Sequence, residues 1–164
     1  MPGKIQAQIR QSKPFPSLEE EAFLNVLRTA NTLSQGASEL LKQHDLTLTQ
    51  YNVLRILRGA GEQGLTAGEI GERMITRDPD VTRLLDRLEK RGLAERWRCT
   101  EDRRVVWTRI TPAGLAAIAP LDHQITELHC RQLGHLGRDR LETLIELLES
   151  ARDNAEALEA VETG

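Results

Sequence analysis

Apolar positions spaced three and four residues apart recur along most of this chain, and most runs open on a capping signal. In PSLEEEAFLNVLRTANTLSQGASELLKQH, residues 16–44, the side chains Phe23, Val26, Leu27, Ala30, Leu33, Ala37, Leu40 and Leu41 make one stripe of a long helix. Ser17 and Glu20 predict a capping box at its start, and Gly36 weakens it only a little. Thr47 and Gln50 predict a box for a second helix, whose apolar side is Val53, Leu54 and Leu57. Thr66 and Glu69 do the same for a short third helix, TAGEIGERM. A fourth helix is expected over residues 78–91, with Asp78 as N-cap and Pro79 at the first helical position, where a missing N–H has no partner to lose. Val81, Leu84, Leu85 and Leu88 share one face of it, and Gly92 stops it where φ must turn positive.

The period then changes. LAERWRC and VVWTRI are extended-type runs joined by TEDRR, which predicts a hairpin with a highly charged five-residue tip. Helical spacing resumes after Thr111 and Pro112 and runs to about His135. After Gly137 a last helix is carried by Leu141, Leu144, Ile145 and Leu148. Residues 1–14 are polar without a period and predict a loose arm. The order is a long helix, three short helices, a charged hairpin and two long helices, a mainly α fold with a small β element.

Composition narrows the class. The 164 residues suffice for one domain of ordinary size or two very small ones. Aromatics are only 3%, so the core must rest on Leu, Ile, Val and Ala, which favours helices over sheets. No apolar run approaches the roughly 20 residues of a membrane span, and MPGKIQAQIRQSKPFP lacks the apolar segment of a signal peptide, so a cytoplasmic location is expected. The net charge of −3 is unevenly spread: residues 66–111 carry +2 and residues 112–164 carry −6. Five basic residues fall between Arg91 and Arg104. A basic middle beside an acidic tail points to local contacts with an anionic partner rather than to a general polyanion binder.

A short helix, a brief turn and a second helix make a helix-turn-helix, in which the second helix enters the DNA major groove with its N-terminal residues at the base edges. Thr82 and Arg83 are placed for that role, and Arg83 can address guanine O6 and N7 with two parallel hydrogen bonds. Arg87 and Lys90 lie off the apolar face of the same helix. Free N–H groups at the helix start can hold a phosphate. The hairpin becomes a wing whose arginines meet a second surface of the duplex, where a narrow minor groove attracts them. Asp102 is expected to bond an arginine there and fix its rotamer. The competing reading is a winged helix that binds protein or RNA instead of an operator. The arginine-rich wing and the exposed Arg83 and Arg87 speak against it, and a steep salt dependence separates the two.

Other chemistry finds no constellation. Gly59, Gly61 and Gly64 spell GxGxxG, but a dinucleotide site needs a strand before and a helix immediately after, and here a helix precedes. The four histidines, His44, His123, His129 and His135, contain no HExxH, and the last three fall about 120° apart around a helix. Cys99 and Cys130 form no CxxC and read as reduced thiols. Neither an enzyme, a metal nor a cofactor is expected.

LTLTQYNVLRIL, TAGEIGERM, DVTRLLDRLEKRGLAER and EDRRVVWTRITPAG follow one another at the spacing of a known family. The chain resembles the MarR family of winged helix-turn-helix transcriptional regulators over about residues 17–150. The resemblance implies a homodimeric, ligand-responsive regulator, more often a repressor, on a roughly palindromic operator. It implies a flexible arm over 1–16, an N-terminal dimerisation helix over 17–45, a winged helix-turn-helix domain over 46–111, and C-terminal dimerisation helices with an acidic tail over 112–164. Asp102 and Arg104 match the family's wing, where arginine enters the minor groove and aspartate holds it; Arg103 lies between them. Many members bind small phenolic or aromatic effectors between the dimer helices and the winged domain, and His44, Tyr51 and Arg55 lie in the corresponding segments. Some relatives sense oxidants through an N-terminal cysteine, whereas the first cysteine here is Cys99. The chain departs from the family at the start of the recognition helix, where Arg77, Asp78, Pro79 and Asp80 stand in place of serine or threonine. Asp80 repels phosphate but can accept from cytosine N4.

Overall fold

The computed structural model describes residues 4–78 and 80–162. The described residues form eight helices and three short strands, and the chain divides into two compact units, Met1–Gln124 and Ile125–Gly164.

In the first unit, helix α1 (Lys4–Gln8) is followed by α2 (Leu18–Lys42), α3 (Leu48–Ala60), strand β1 (Leu65–Thr66), α4 (Ala67–Arg73), α5 (Val81–Lys90), β2 (Ala94–Arg98), β3 (Val106–Ile110) and α6 (Pro112–Ile118). Helix α7 (Leu121–Leu133) begins in the first unit and runs into the second, which also holds α8 (Arg138–Glu162). Of the three expected capping boxes, two form in full and the first only by its Ser17 half. Ser17 accepts from the Glu20 N–H, and reciprocal boxes form between Thr47 and Gln50 and between Thr66 and Glu69. The core of the first unit gathers Leu41, Val53, Leu54, Leu57, Ile70, Leu85, Leu88, Ile118 and Leu121, all essentially inaccessible. Val53, Leu54 and Leu57 sit one turn apart on α3, so α3 is the post on which the neighbouring elements lean.

The sheet has the order β1-β3-β2, antiparallel throughout. Its register pairs Trp97 with Trp107 and Arg96 with Thr108, and the two-residue β1 adds Leu65 opposite Thr108. Gly64 makes that third strand possible. Its φ is +67°, and a Cβ there would lie 2.6 Å from the Thr108 carbonyl oxygen.

Four expectations are corrected. Residues 1–16 are not wholly a loose arm, because Lys4–Gln8 is helical and Ile5 is buried. The recognition helix begins two residues late: Asp80, not Asp78, is the N-cap, while Asp78 Oδ1 accepts from the Asp80 N–H at 2.8 Å in a turn just before it. Pro79 lies outside the described residues. The single helix expected from Thr111 to His135 is two, α6 and α7, broken at Ala119 and Pro120 because proline supplies no N–H to continue the ladder. Finally, the glycine-rich segment 59–64, whose composition predicts a loop between helices, is a helix end and a short 3-10 turn, with Gly61 and Gly64 at positive φ.

Two helices carry exposed large apolar side chains in the single chain. In the first unit Leu18, Phe23, Val26 and Leu27 of α2 are exposed, although the far end of the same stripe, Ala37 and Leu41, is buried. In the second unit Ile145, Leu147, Leu148, Leu158 and Val161 of α8 are exposed. No helix among the described residues is long and apolar enough to cross a membrane.

Candidate nucleic-acid interface

Helix α5 divides its residues as a groove-reading helix must. Leu84, Leu85 and Leu88 are buried, while Thr82, Arg83, Arg87 and Lys90 lie on the outer side, all four exposed. Arg83, Arg87 and Lys90 stand at i, i+4 and i+7, so they share one outward stripe. Arg77, before the helix, is exposed as well. The turn leading into α5 is held from below, where Asn52 Oδ1 on α3 accepts the Ile75 N–H at 3.0 Å.

The start of α5 is acidic by construction. Asp80 Oδ1 accepts the Arg83 N–H at 3.0 Å, and its other oxygen lies 3.9 Å from Arg83 Nε. One oxygen is therefore committed to the cap. The other makes only a long, exposed contact and remains open to an amino group.

β2 and β3 project the wing, and its tip carries Arg103 and Arg104, both exposed. Asp102 holds Arg104, but not as the sequence suggests. Its Oδ1 accepts from the backbone N–H of Arg104 at 2.9 Å, so it fixes the main chain of the tip rather than a guanidinium rotamer. The Asp102 carbonyl accepts from the Val105 N–H at 3.0 Å and tightens the same turn. Between α5, the start of α4 and the wing lies a groove of about 440 Å³ lined by Thr66, Gly68, Thr82, Arg96, Arg104 and Thr108 among others. A recognition-helix residue and a wing arginine thus border one groove.

Residues that sequence patterns leave unmarked complete the arrangement. Arg96 of β2 reaches Asp86 and Glu89 of α5. Arg91, at the C-cap of α5, donates to the Asp45 carbonyl at 2.7 Å. Arg109 is held by Glu62 at 2.6 Å and Glu95 at 2.5 Å over the Trp97 ring. Each pair joins different elements of the fold, so no local pattern signals it.

The three effector candidates are not alike. Tyr51 is buried, and Arg55 lies 5.8 Å from its ring centroid. Burial pushes the Tyr51 phenol above its ordinary value, and its hydroxyl shares Asp122 with Arg58. Arg58 forks onto Asp122 with bonds of 2.7 and 2.9 Å, which tie α3 to the first turn of α7. His44 is half-buried in the turn after α2.

The chain is similar to known proteins. The family model described as MarR family matches residues 46–106, the segment from α3 to the start of β3. The HTH-type transcriptional repressor IacR of Pseudomonas putida is 30% identical over 140 residues, which cover 85% of this chain and 83% of that protein. Among solved structures, a MarR transcription factor from Planctomyces limnophilus is 42% identical with a TM-score of 0.64, over 82% of this chain and 98% of that one. A cysteine-to-serine mutant of MarR from E. coli, solved in complex with operator DNA, is 30% identical with a TM-score of 0.68, over 77% and 89% of the two chains. The PcaV regulator of Streptomyces coelicolor, solved with its natural ligand, is 28% identical with a TM-score of 0.65, over 77% and 90%.

Proposed function

The chain belongs to the MarR family of transcriptional regulators, and on that premise we propose how its own residues meet DNA and an effector. It is a DNA-binding regulator and not an enzyme. The observation that carries the reading is the pairing of α5 with the wing. An outward stripe of Arg83, Arg87 and Lys90 stands beside a tip bearing Arg103 and Arg104, in a chain whose net charge is −3. Positive charge is concentrated where a duplex would be met. Thr82, Arg83 and the open oxygen of Asp80 address base edges in the major groove, Arg77, Arg87 and Lys90 neutralise phosphates, and Arg103 and Arg104 approach the minor groove with Asp102 setting the tip.

The active species is a homodimer. The exposed apolar faces of α2 and α8 are of the kind that a second copy of the chain covers, since water leaves large contiguous apolar patches uncovered only at a cost. Two recognition helices then meet successive major grooves about 34 Å apart on a roughly palindromic operator. A small aromatic or phenolic effector near His44, Tyr51 and Arg55 favours a dimer with a different spacing and so releases the operator, which makes the protein a repressor. Tyr51 serves there as a wall rather than a donor, because its hydroxyl is already engaged.

The test is selection of a bound duplex from a randomised pool, followed by titration against that duplex and a scrambled control at two salt concentrations. Tight binding to the selected duplex, beating the control and falling steeply with salt, is expected. Equal, weak binding to both removes operator recognition and favours a winged helix with a protein or RNA partner.

A further inference from the structure

Arg96 stands on β2, between the helix and the tip that the interface uses. Its Nη2 lies 2.6 Å from Asp86 Oδ1 and 2.5 Å from Glu89 Oε2, and its Nε donates to the same Glu89 oxygen at 3.0 Å. Asp86 and Glu89 are three apart on α5, so one planar guanidinium can bridge both, which the point charge of a lysine cannot do in the same geometry. The Arg96 side chain is 22% exposed, against 72% for Arg83 on the outward stripe. Arg96 is therefore engaged within the fold, although it also lines the groove that Thr82 and Arg104 border. Its strand continues only to Arg98, paired with Val106, before the tip that carries Arg103 and Arg104. Whatever fixes Arg96 on α5 fixes the base of the wing.

We propose that Arg96 is a positioning residue for DNA recognition, a strut that sets the angle between the recognition helix and the wing. The inference rests on the reading of α5 and the wing as one DNA interface. With the strut in place, major-groove and minor-groove contacts are made together. Without it, the wing must be ordered at the moment of binding, and the freedom lost then offsets what the tip arginines gain. Two carboxylates also lose their counter-charge beside a groove that faces phosphate.

The experiment uses the full chain and the duplex enriched by the parent protein from a randomised pool. Arg104→Ala is measured in three backgrounds: the parent, Arg96→Gln, and the triple variant Asp86→Asn, Glu89→Gln, Arg96→Gln. The triple variant keeps the shapes of the two acidic side chains while removing all three charges, and thermal melting follows the fold of each. In the parent, Arg104→Ala is expected to weaken binding about tenfold, the size typical of one lost arginine contact. In both strutless backgrounds the same substitution is expected to cost less than about twofold, because a wing that is not held contributes little. The triple background supplies the comparison if Arg96→Gln alone does not fold. An equal cost of Arg104→Ala with and without the strut overturns the proposal. So does an Arg104→Ala protein that binds like the parent, because the wing is then outside the interface. A pool from which the parent enriches nothing overturns the DNA reading and the strut with it.

Discussion

Arg91 and Asp45 are joined across 46 positions of sequence: Arg91 Nη1 donates to the Asp45 carbonyl at 2.7 Å, and Gln50 Oε1 lies 3.4 Å from the same nitrogen. Asp45 holds φ at +55°, a conformation that L-residues adopt at a cost. The bond therefore secures a strained turn between α2 and α3 and anchors the C-terminal end of the recognition helix to it. Arg91→Met keeps the aliphatic stem and removes the bond. It should lower stability by about 1 kcal/mol, below the usual range for a charged donor because the site is exposed. Urea denaturation should show a lower midpoint at an unchanged slope. An unchanged midpoint would mean that the turn holds itself.

The acidic start of α5 makes a separable prediction. Asparagine caps a helix as well as aspartate, so Asp80→Asn should leave stability within about 0.5 kcal/mol of the parent. It removes a negative charge that faces phosphate and loosens the 3.9 Å contact to Arg83. Affinity for a scrambled duplex should rise a few-fold, read by fluorescence anisotropy at low salt. No rise would place the helix start away from the DNA backbone.

Two glycines in helices separate packing from propensity. A Cβ on Gly114 would lie 2.1 Å from the Leu93 carbonyl oxygen and 2.7 Å from the Ile110 Cγ1, at the knot where Thr111 also donates to the Gly92 carbonyl. The clash is with backbone, which cannot swing away. Overpacking of about 1–3 kcal/mol should outweigh the roughly 1 kcal/mol that alanine gains in a helix, so Gly114→Ala destabilises. Gly59 meets nothing within 4 Å, and Gly59→Ala should raise the melting temperature. The same direction for both variants would show that crowding at Gly114 is relieved by movement of the wing.

This contrast also marks what was legible beforehand. The boxes at Thr47 and Thr66, the buried face Leu84, Leu85 and Leu88, and the Thr111-Pro112 start all follow from spacings of three and four residues, and all are present. What failed does not follow from helical spacing. β1 is two residues long and exists only because β3 pairs with it. The choice between Asp78 and Asp80 as cap was settled by a turn in which one serves the other. Asp102 was expected on a side chain and was found on a main-chain N–H, a distinction of reach that spacing does not encode. Arg96 reads in sequence as one more wing arginine, and only the fold shows it turned onto α5.

The Arg58–Asp122 pair gives a pH dependence with a definite sign. The hydrogen bonds from Arg58 hold the Asp122 carboxyl below its ordinary value. A depressed folded value means that the unfolded chain binds more protons in acid, so the pair's stabilisation is complete above the unfolded carboxylate value of about 3.9 and is lost as pH falls through the folded one. Asp122 is 47% exposed and Arg58 32%, so solvent screens the pair and the effect is about 0.5–1 kcal/mol. Asp122→Asn should melt below the parent at neutral pH, with the gap closing in acid. A gap that persists unchanged at acid pH would assign the loss to packing.

The thiol at the end of β2 sits where the wing tip begins. Cys99 follows Arg98, and its backbone N–H donates to the Val105 carbonyl at 2.9 Å, the last bond before the tip opens. Backbone N–H groups of Asp102 and then Glu101 point at its sulfur and hold the thiol below its ordinary value, because they stabilise the thiolate. The thiolate is the nucleophile, so its population sets the rate of alkylation. In a Cys130→Ser background, the rate with iodoacetamide should rise with pH to a midpoint below that of an unstructured cysteine peptide measured alongside. The same N–H groups shape the turn ahead of Arg103 and Arg104, so an adduct on the sulfur must displace them and move the tip. Alkylated protein should then lose affinity for the selected duplex, while a protein also carrying Cys99→Ser should not respond to the reagent. A midpoint at or above that of the peptide would show that the N–H groups do not reach the sulfur in solution. A lowered midpoint with unchanged DNA affinity would separate the two halves of the argument and leave the tip free to accommodate the adduct.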